Sequence, residues 1–173
     1  LTHDRKRFLI SIGGVAFAVL LMFIFTGFKN ALYDSQIQLL NKLNGEVIVI
    51  NRLKNNMFVP SSFARRRLYQ VRAFEGVTDA YPLYISEGNW KNPATGKSFS
   101  VRTLAFNLGD RVLDMPEVNA QILALQLPNS ALIDTRARGE IGLTQAGVAS
   151  ELADRSVRIV GTFELGTDFA SGN

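Results

Sequence analysis

The residues Gly96-Lys97-Ser98, in the run ATGKSF, have the ending of a phosphate-binding loop. A complete loop of that kind carries a glycine five residues earlier and sits between a strand and a helix, so that helix N–H groups meet the phosphate. Lys91 occupies the glycine position, and the flanking residues predict a turn between two strands, so nucleotide binding is not expected here. The one histidine is His3, in the N-terminal flank, and there is no cysteine. The rest of the chain therefore has no Ser-His-Asp arrangement, no histidine or thiolate metal ligand and no disulfide. The carboxylate pairs Asp110/Asp114 and Asp114/Glu117 lie in polar connections and read as solvated loop charge, not as a glycosidase pair. No catalytic residue, cofactor or metal site is expected.

Two features remain as candidate partner contacts. Arg65, Arg66 and Arg67, with Arg72 nearby, form the densest charge cluster. Three successive helical residues fan over about 200° of the helix, so they cannot all meet one small ligand. A solvated face, an acidic partner or lipid headgroups suit them better. Trp90, the single tryptophan, reads either as a partner anchor or as a strand-end residue packed on its sheet.

The elements that would position these residues begin with RKRFLISIGGVAFAVLLMFIFTGFKN. Between Phe8 and Phe28 there is no Asp, Glu, Lys, Arg, His, Asn or Gln. As a helix this run covers roughly 31 Å, the thickness of a bilayer's hydrocarbon core. It is apolar on every face, unlike a surface helix, and too long for the core of a cleaved signal. A membrane span is predicted, and Arg5-Lys6-Arg7 on its N-terminal side place residue 1 in the cytoplasm and the residues after Asn30 outside. Of 19 basic and 15 acidic residues, four basic and one acidic fall within the first 30 positions, so the high pI belongs to this flank and not to a nucleic-acid surface.

Residues 30–43, NALYDSQIQLLNKL, read as a helical stalk with Leu32, Ile37, Leu40 and Leu43 as its stripe, closed by Asn44-Gly45. EVIVI (46–50) reads as a buried strand. A helix is predicted over residues 62–74 with a stripe of Ala64, Leu68 and Val71, preceded by Pro60, capped by Ser61 or Ser62 and stopped by Gly76. VTDAYPLYISEGNW and SFSVRTLAF read as a hairpin about KNPATGK, with Pro82 marking an edge or bulge. A short helix starts near Met115-Pro116, SALIDT is a strand, and in the last strand Val157, Ile159, Gly161, Phe163 and Leu165 face one way. The fold class is α+β: cytoplasmic flank 1–7, transmembrane helix 8–28, stalk 29–45, and one mixed exported domain 46–173. The Leu start and the ending TDFASGN read as cuts within a longer reading frame.

LISIGGVAFAVLLMFIFTGFKNALYDSQ, SSFARRRLYQVRAFEGV, YPLYISEGNWKNPATGKSFSVRTLAFN and LIDTRARGEIG together resemble the DevC-type permease subunits of ABC exporters, within the MacB/FtsX-like class. The resemblance runs from the flank to about Phe163. It implies an inner-membrane subunit with four membrane helices, a MacB-like periplasmic core domain between the first two, and a homodimeric permease in contact with membrane lipid. It also implies a separate cytoplasmic ATPase, a periplasmic membrane-fusion (adaptor) protein and a TolC-type outer-membrane channel. Efflux of a lipid-like or other substrate, glycolipid in DevC-type systems, would be driven by motion passed up the stalk. The alternative class is a single-span sensor or scaffold with an extracytoplasmic domain; a membrane-anchored enzyme is disfavoured by the absent catalytic constellations. Topology is directly testable: reporter fusions at residue 60 are expected to be active only on the far side of the membrane, and cytoplasmic activity there would refute the orientation.

Overall fold

The computed structural model describes residues 2–52, Ser62 and 64–166. Its first element, α1 (Thr2–Ile37), is a single 36-residue helix, roughly 54 Å long at 1.5 Å per residue. It is long and apolar enough to cross a membrane, and none of its apolar stretch is covered by the rest of the fold. Phe8, Ile10, Phe17 and Phe23 are each more than half exposed. The run expected to span a membrane is thus a long apolar helix that the rest of the described fold leaves uncovered.

Beyond the apolar run, α1 continues to Ile37, turns at Gln38-Leu39 and closes with a 3-10 turn at Leu40–Lys42. The stalk is therefore helical but stops short of Asn44-Gly45. Its predicted stripe is also corrected. Ile37 is exposed, Leu32, Leu40 and Leu43 are half-buried, and the fully buried residue is Leu39. Helical spacing places residues on a face, but the domain core captures Leu39, and that capture sets where the helix ends.

The expected strand at 46–50 does not form. Val47, Ile48, Val49 and Ile50 are exposed, Val47 by 82%, and none is paired in the sheet. Alternation and β-branching give a segment strand character, yet a strand also needs a partner backbone, and neither edge of this sheet takes it. Of the second predicted helix, α2 (Arg66–Arg72) is present, with Leu68 and Val71 half-buried and Ala64 exposed. Arg65 stands at its N-cap without a side-chain cap, in place of the expected serine; Pro60 and Ser61 lie outside the described residues. Gly76, at φ +85°, ends the segment as expected.

β1 (Leu83–Lys91) and β2 (Ser98–Phe106) form the predicted hairpin, paired without interruption from Leu83↔Phe106 to Lys91↔Ser98. Pro82 sits just before β1, which is not an edge strand, because β4 joins its other side at Trp90↔Leu152. After the loop come α3 (Pro116–Asn119), with Pro at its first turn as predicted, α4 (Ile122–Leu125) and β3 (Ser130–Asp134). The last predicted strand proves to be a hairpin. β4 (Ala149–Leu152) and β5 (Arg155–Phe163) are joined by Ala153-Asp154, both at positive φ (49° and 61°), as a two-residue hairpin turn requires. The sheet order is β2-β1-β4-β5-β3, with β3 parallel to β5 and the other pairs antiparallel.

Two cores use opposite faces of these strands. Side chains alternate along a strand, so Ile85 and Trp90 leave β1 on opposite sides, as do Leu132 and Ile133 on β3. Ile85, Leu104, Phe106 and Leu132 join the cluster of Leu39, Leu113, Met115, Val118 and Leu165. Trp90, Val101, Ile133 and Leu152 join Ile141 and Ile159. On β5 the register slips, with Ala131 facing Ile159 but Leu132 facing Gly161, so Val160 is the extra residue of a bulge. This corrects the single-face reading of β5, since Ile159 packs in the second cluster and Phe163 in the first.

Gln121 secures the strand just past the bulge. Its Nε2 donates to the main-chain O of Thr162 (2.7 Å) and its Oε1 accepts from Thr162 N–H (3.2 Å), as a neighbouring strand would. It lies where a Cβ on residue 161 would stand, so a side chain there would have to displace the Gln121 amide from Thr162. Gly161→Ala is expected to cost about 1–3 kcal/mol of unfolding free energy through overpacking. In a Gln121→Ala background the same change should cost markedly less, and an unchanged cost in that double-mutant cycle would show that the clash lies elsewhere.

Candidate functional site: the junction of helix and sheet

The sequence candidates for chemistry resolve into structural roles. Gly96-Lys97-Ser98 lies in the β1–β2 turn, with Gly96 at φ +71° and no helix following. The turn is organised by Asn92, only 6% exposed. Its Oδ1 accepts from Ala94 N–H (2.8 Å) and Thr95 N–H (3.2 Å), and its Nδ2 donates to the main-chain O of Glu140 (2.7 Å). Trp90 is 4% exposed and its Nε1 donates to the main-chain O of Ile141 (3.0 Å). Trp90 is thus a sheet-packing residue and not an accessible anchor. Together Trp90 and Asn92 stitch the hairpin turn to residues 140–141, and Gly142, at φ +92°, leaves room for the Asn92 amide.

Arg65, Arg66 and Arg67 are exposed on or beside α2, where Arg67 Nη1 donates to Gln70 Oε1 (2.8 Å). They do not form one surface with Trp90, which is inside the second cluster. Arg72 points back to the following loop, donating to Ala80 O and pairing with Asp79 (2.9 Å). The Tyr81 hydroxyl first, then Ala80 N–H and the Arg72 guanidinium, hold the Asp79 carboxyl below its usual range, while Asp79 pushes Tyr81 up. Asp110 accepts from Asn107 Nδ2 (2.9 Å), Asp114 is exposed, and among the described residues no group of three ligands could hold a metal ion.

The most highly constructed polar and apolar site is the point where α1 meets the sheet. Leu39 is 3% exposed and packs with Leu113, Met115, Val118 and Leu165. The backbone leaving the helix then pairs with the loop after β2. Leu43 bridges Leu113, Lys42 O accepts from Asp114 N–H (2.8 Å), Asn44 N–H donates to Val112 O (2.9 Å), and Asn44 Nδ2 donates to Arg111 O (2.9 Å).

A second tie reaches the chain after β5. Gln38 Nε2 donates to the main-chain O of Leu165. Asp134, 6% exposed at the end of β3, accepts from Arg136 N–H (2.9 Å), Leu165 N–H (3.3 Å) and Gly166 N–H (2.7 Å). The peptide at Leu165-Gly166 is therefore gripped by the helix end from its carbonyl side and by the sheet from its N–H side. Gly166 takes φ +95° and lets Gln38 approach.

Sequence reasoning missed Gln38, Leu39 and Asp134. Little that is local marks them, because Gln38 and Asp134 reach Leu165 and Gly166, more than 30 residues away, and Leu39 packs in a cluster assembled from segments distant in sequence. No family model, curated protein or solved structure matches the chain.

Leu39→Ala is expected to destabilise the domain by about 2–5 kcal/mol, the usual cost of emptying a buried leucine site. Ile37→Ala, one helical step away but exposed, should change stability by no more than about 0.5 kcal/mol. Denaturant unfolding followed by Trp90 fluorescence reads both, since Trp90 lies in the other cluster. Equal effects would show that the junction is not what fastens the helix to the sheet.

Proposed function

We propose that this chain is the first membrane helix and the periplasmic domain of a permease subunit in an ATP-driven tripartite exporter. In this reading residue 1 lies in the cytoplasm, α1 crosses the inner membrane, and the sheet domain stands outside it. A separate ATPase supplies energy, and the permease, as a homodimer, passes motion to a periplasmic adaptor and a TolC-type channel. The substrate is lipid-like, a glycolipid by resemblance to the DevC-type permeases. The protein itself carries no hydrolytic chemistry.

The observation that supports this reading is the junction. An exposed apolar helix that only anchored a domain would be joined to it by a slack linker, rich in Gly and Ser. Here the helix runs nine residues past Phe28, about 14 Å, and the residues that directly follow it, Gln38 to Asn44, are packed against the core and hydrogen-bonded to two separate segments. A tilt or axial shift of such a helix is delivered to the sheet without loss in a tether. The exposed Arg65–Arg67 face is left for an acidic partner or for headgroups.

Inserting Gly-Gly after Gln38 tests this. It separates the Gln38–Leu165 tie from the Leu39 anchor and puts two glycines into the turn that joins α1 to the domain core. In the intact subunit the variant should insert and assemble with its ATPase but lose export. Full export at normal protein level would overturn the mechanical reading and favour a sensor or scaffold.

A further inference from the structure

A recess of about 360 Å3 opens on the sheet where β3, β4 and β5 lie side by side. We propose that it binds a free anionic amphiphile: one phosphate or carboxylate carried on a short apolar body.

The recess is built around Arg158. This residue lies on β5, an interior strand, directly beside Ser130 on β3 and Ala149 on β4. Residues paired across a sheet share a face, so the exposed Arg158 side chain leaves the sheet between two small side chains. Ser156, two positions back on the same strand and therefore on the same face, is a third. A long cation among small neighbours leaves open volume beside it. The wall above is fixed. Asn129, at φ +56°, accepts from Arg158 N–H through its main-chain O (2.7 Å), and the Ser130 hydroxyl donates to Leu127 O (2.6 Å).

Charge and polarity then indicate the ligand. Among the described residues Arg158 has no ion-pair partner. The same-face carboxylate of Glu151, which pairs with Ser156 across the strands, is taken by Lys91 at 2.9 Å, and Glu164 is taken by Arg136. A guanidinium presents a planar fork of donors suited to carboxylate or phosphate, with the Ser156 hydroxyl beside it. The rim is apolar, made by Leu127 (60% exposed), Pro128 and Val160. Val160, two positions beyond Arg158, lies on the same face of β5. A bare anion would leave this rim wet, and an uncharged apolar body would leave the cation unanswered. The volume lies at the low end of small-molecule pockets (about 300–1,000 Å3), which suits one short body and not a two-chain lipid.

The test uses the full chain in neutral phosphatidylcholine nanodiscs, with calorimetric titration corrected against empty discs. Hexyl phosphate and hexanoate should bind saturably at one site. Inorganic phosphate and hexanol should bind at least tenfold more weakly. Arg158→Gln should weaken hexyl phosphate at least tenfold, and Arg155→Gln, on the opposite face of β5, should change it less than twofold. Trp90 fluorescence checks folding. Where Arg158→Gln fails that check, Ser156→Asp, which places a carboxylate in the recess, should abolish binding instead. Affinity should be unchanged in discs carrying phosphatidylglycerol, and its loss there would overturn the free-ligand assignment in favour of a bilayer headgroup. Absence of saturable binding, full affinity in both recess variants, or inorganic phosphate binding as tightly as hexyl phosphate would overturn the site.

Discussion

The burial of Leu39 is the interaction on which this structure turns. It lies in the turn between the end of α1 at Ile37 and the 3-10 turn at Leu40–Lys42, and among the described residues it is the only buried one between the apolar helix and the sheet. Its cluster draws on the loop after β2, on α3, and on the chain beyond β5. Because those segments are far apart in sequence, one side chain makes the helix end part of the domain core. The hydrogen bonds from Gln38, Lys42 and Asn44 then have fixed partners to meet. Without the apolar anchor they would be solvated, and each intramolecular bond would contribute only about 0.5–1.5 kcal/mol.

The sheet can serve as the other half of that junction because it is packed on both faces. The bulge at Val160 makes this possible within a single strand. Before it, Ile159 belongs to the cluster of Trp90 and Ile141; after it, Phe163 belongs to the cluster of Leu39. The irregularity has a cost, an interrupted ladder between β3 and β5, and the Gln121 side chain offsets it by hydrogen-bonding both main-chain groups of Thr162. Gly161 is where that amide approaches the strand.

Asp134 and Asn92 show how buried polar groups organise the connections. Each accepts backbone N–H groups that would otherwise be unpaired, and each holds a loop that no strand reaches. The residues of the run WKNPATG are accounted for in this way. Trp90 fills the second cluster, Asn92 closes the turn, and Gly96 supplies its positive φ. These roles are architectural and call for no ligand at the turn.

The amino-acid sequence determined whatever depends on nearby residues. The uncharged run from Phe8 to Phe28 fixed a long apolar helix, because its length and composition leave no other stable backbone arrangement in an apolar surrounding. The hairpin about KNPATGK, the proline-started helix at Pro116 and the strand Ser130–Asp134 followed from turn chemistry and alternation, which act within a few residues. The tertiary structure decided the rest. EVIVI has strand character but no sheet partner; β5 alternates in sequence yet changes face at a bulge; and Trp90, for which sequence left both a partner anchor and sheet packing open, is buried. The junction itself was invisible in the sequence, because Gln38, Leu39 and Asp134 are unremarkable where they stand. Their roles come from contacts with Leu113, Met115 and Leu165, and a contact between distant segments is a property of the folded chain, which no local pattern encodes.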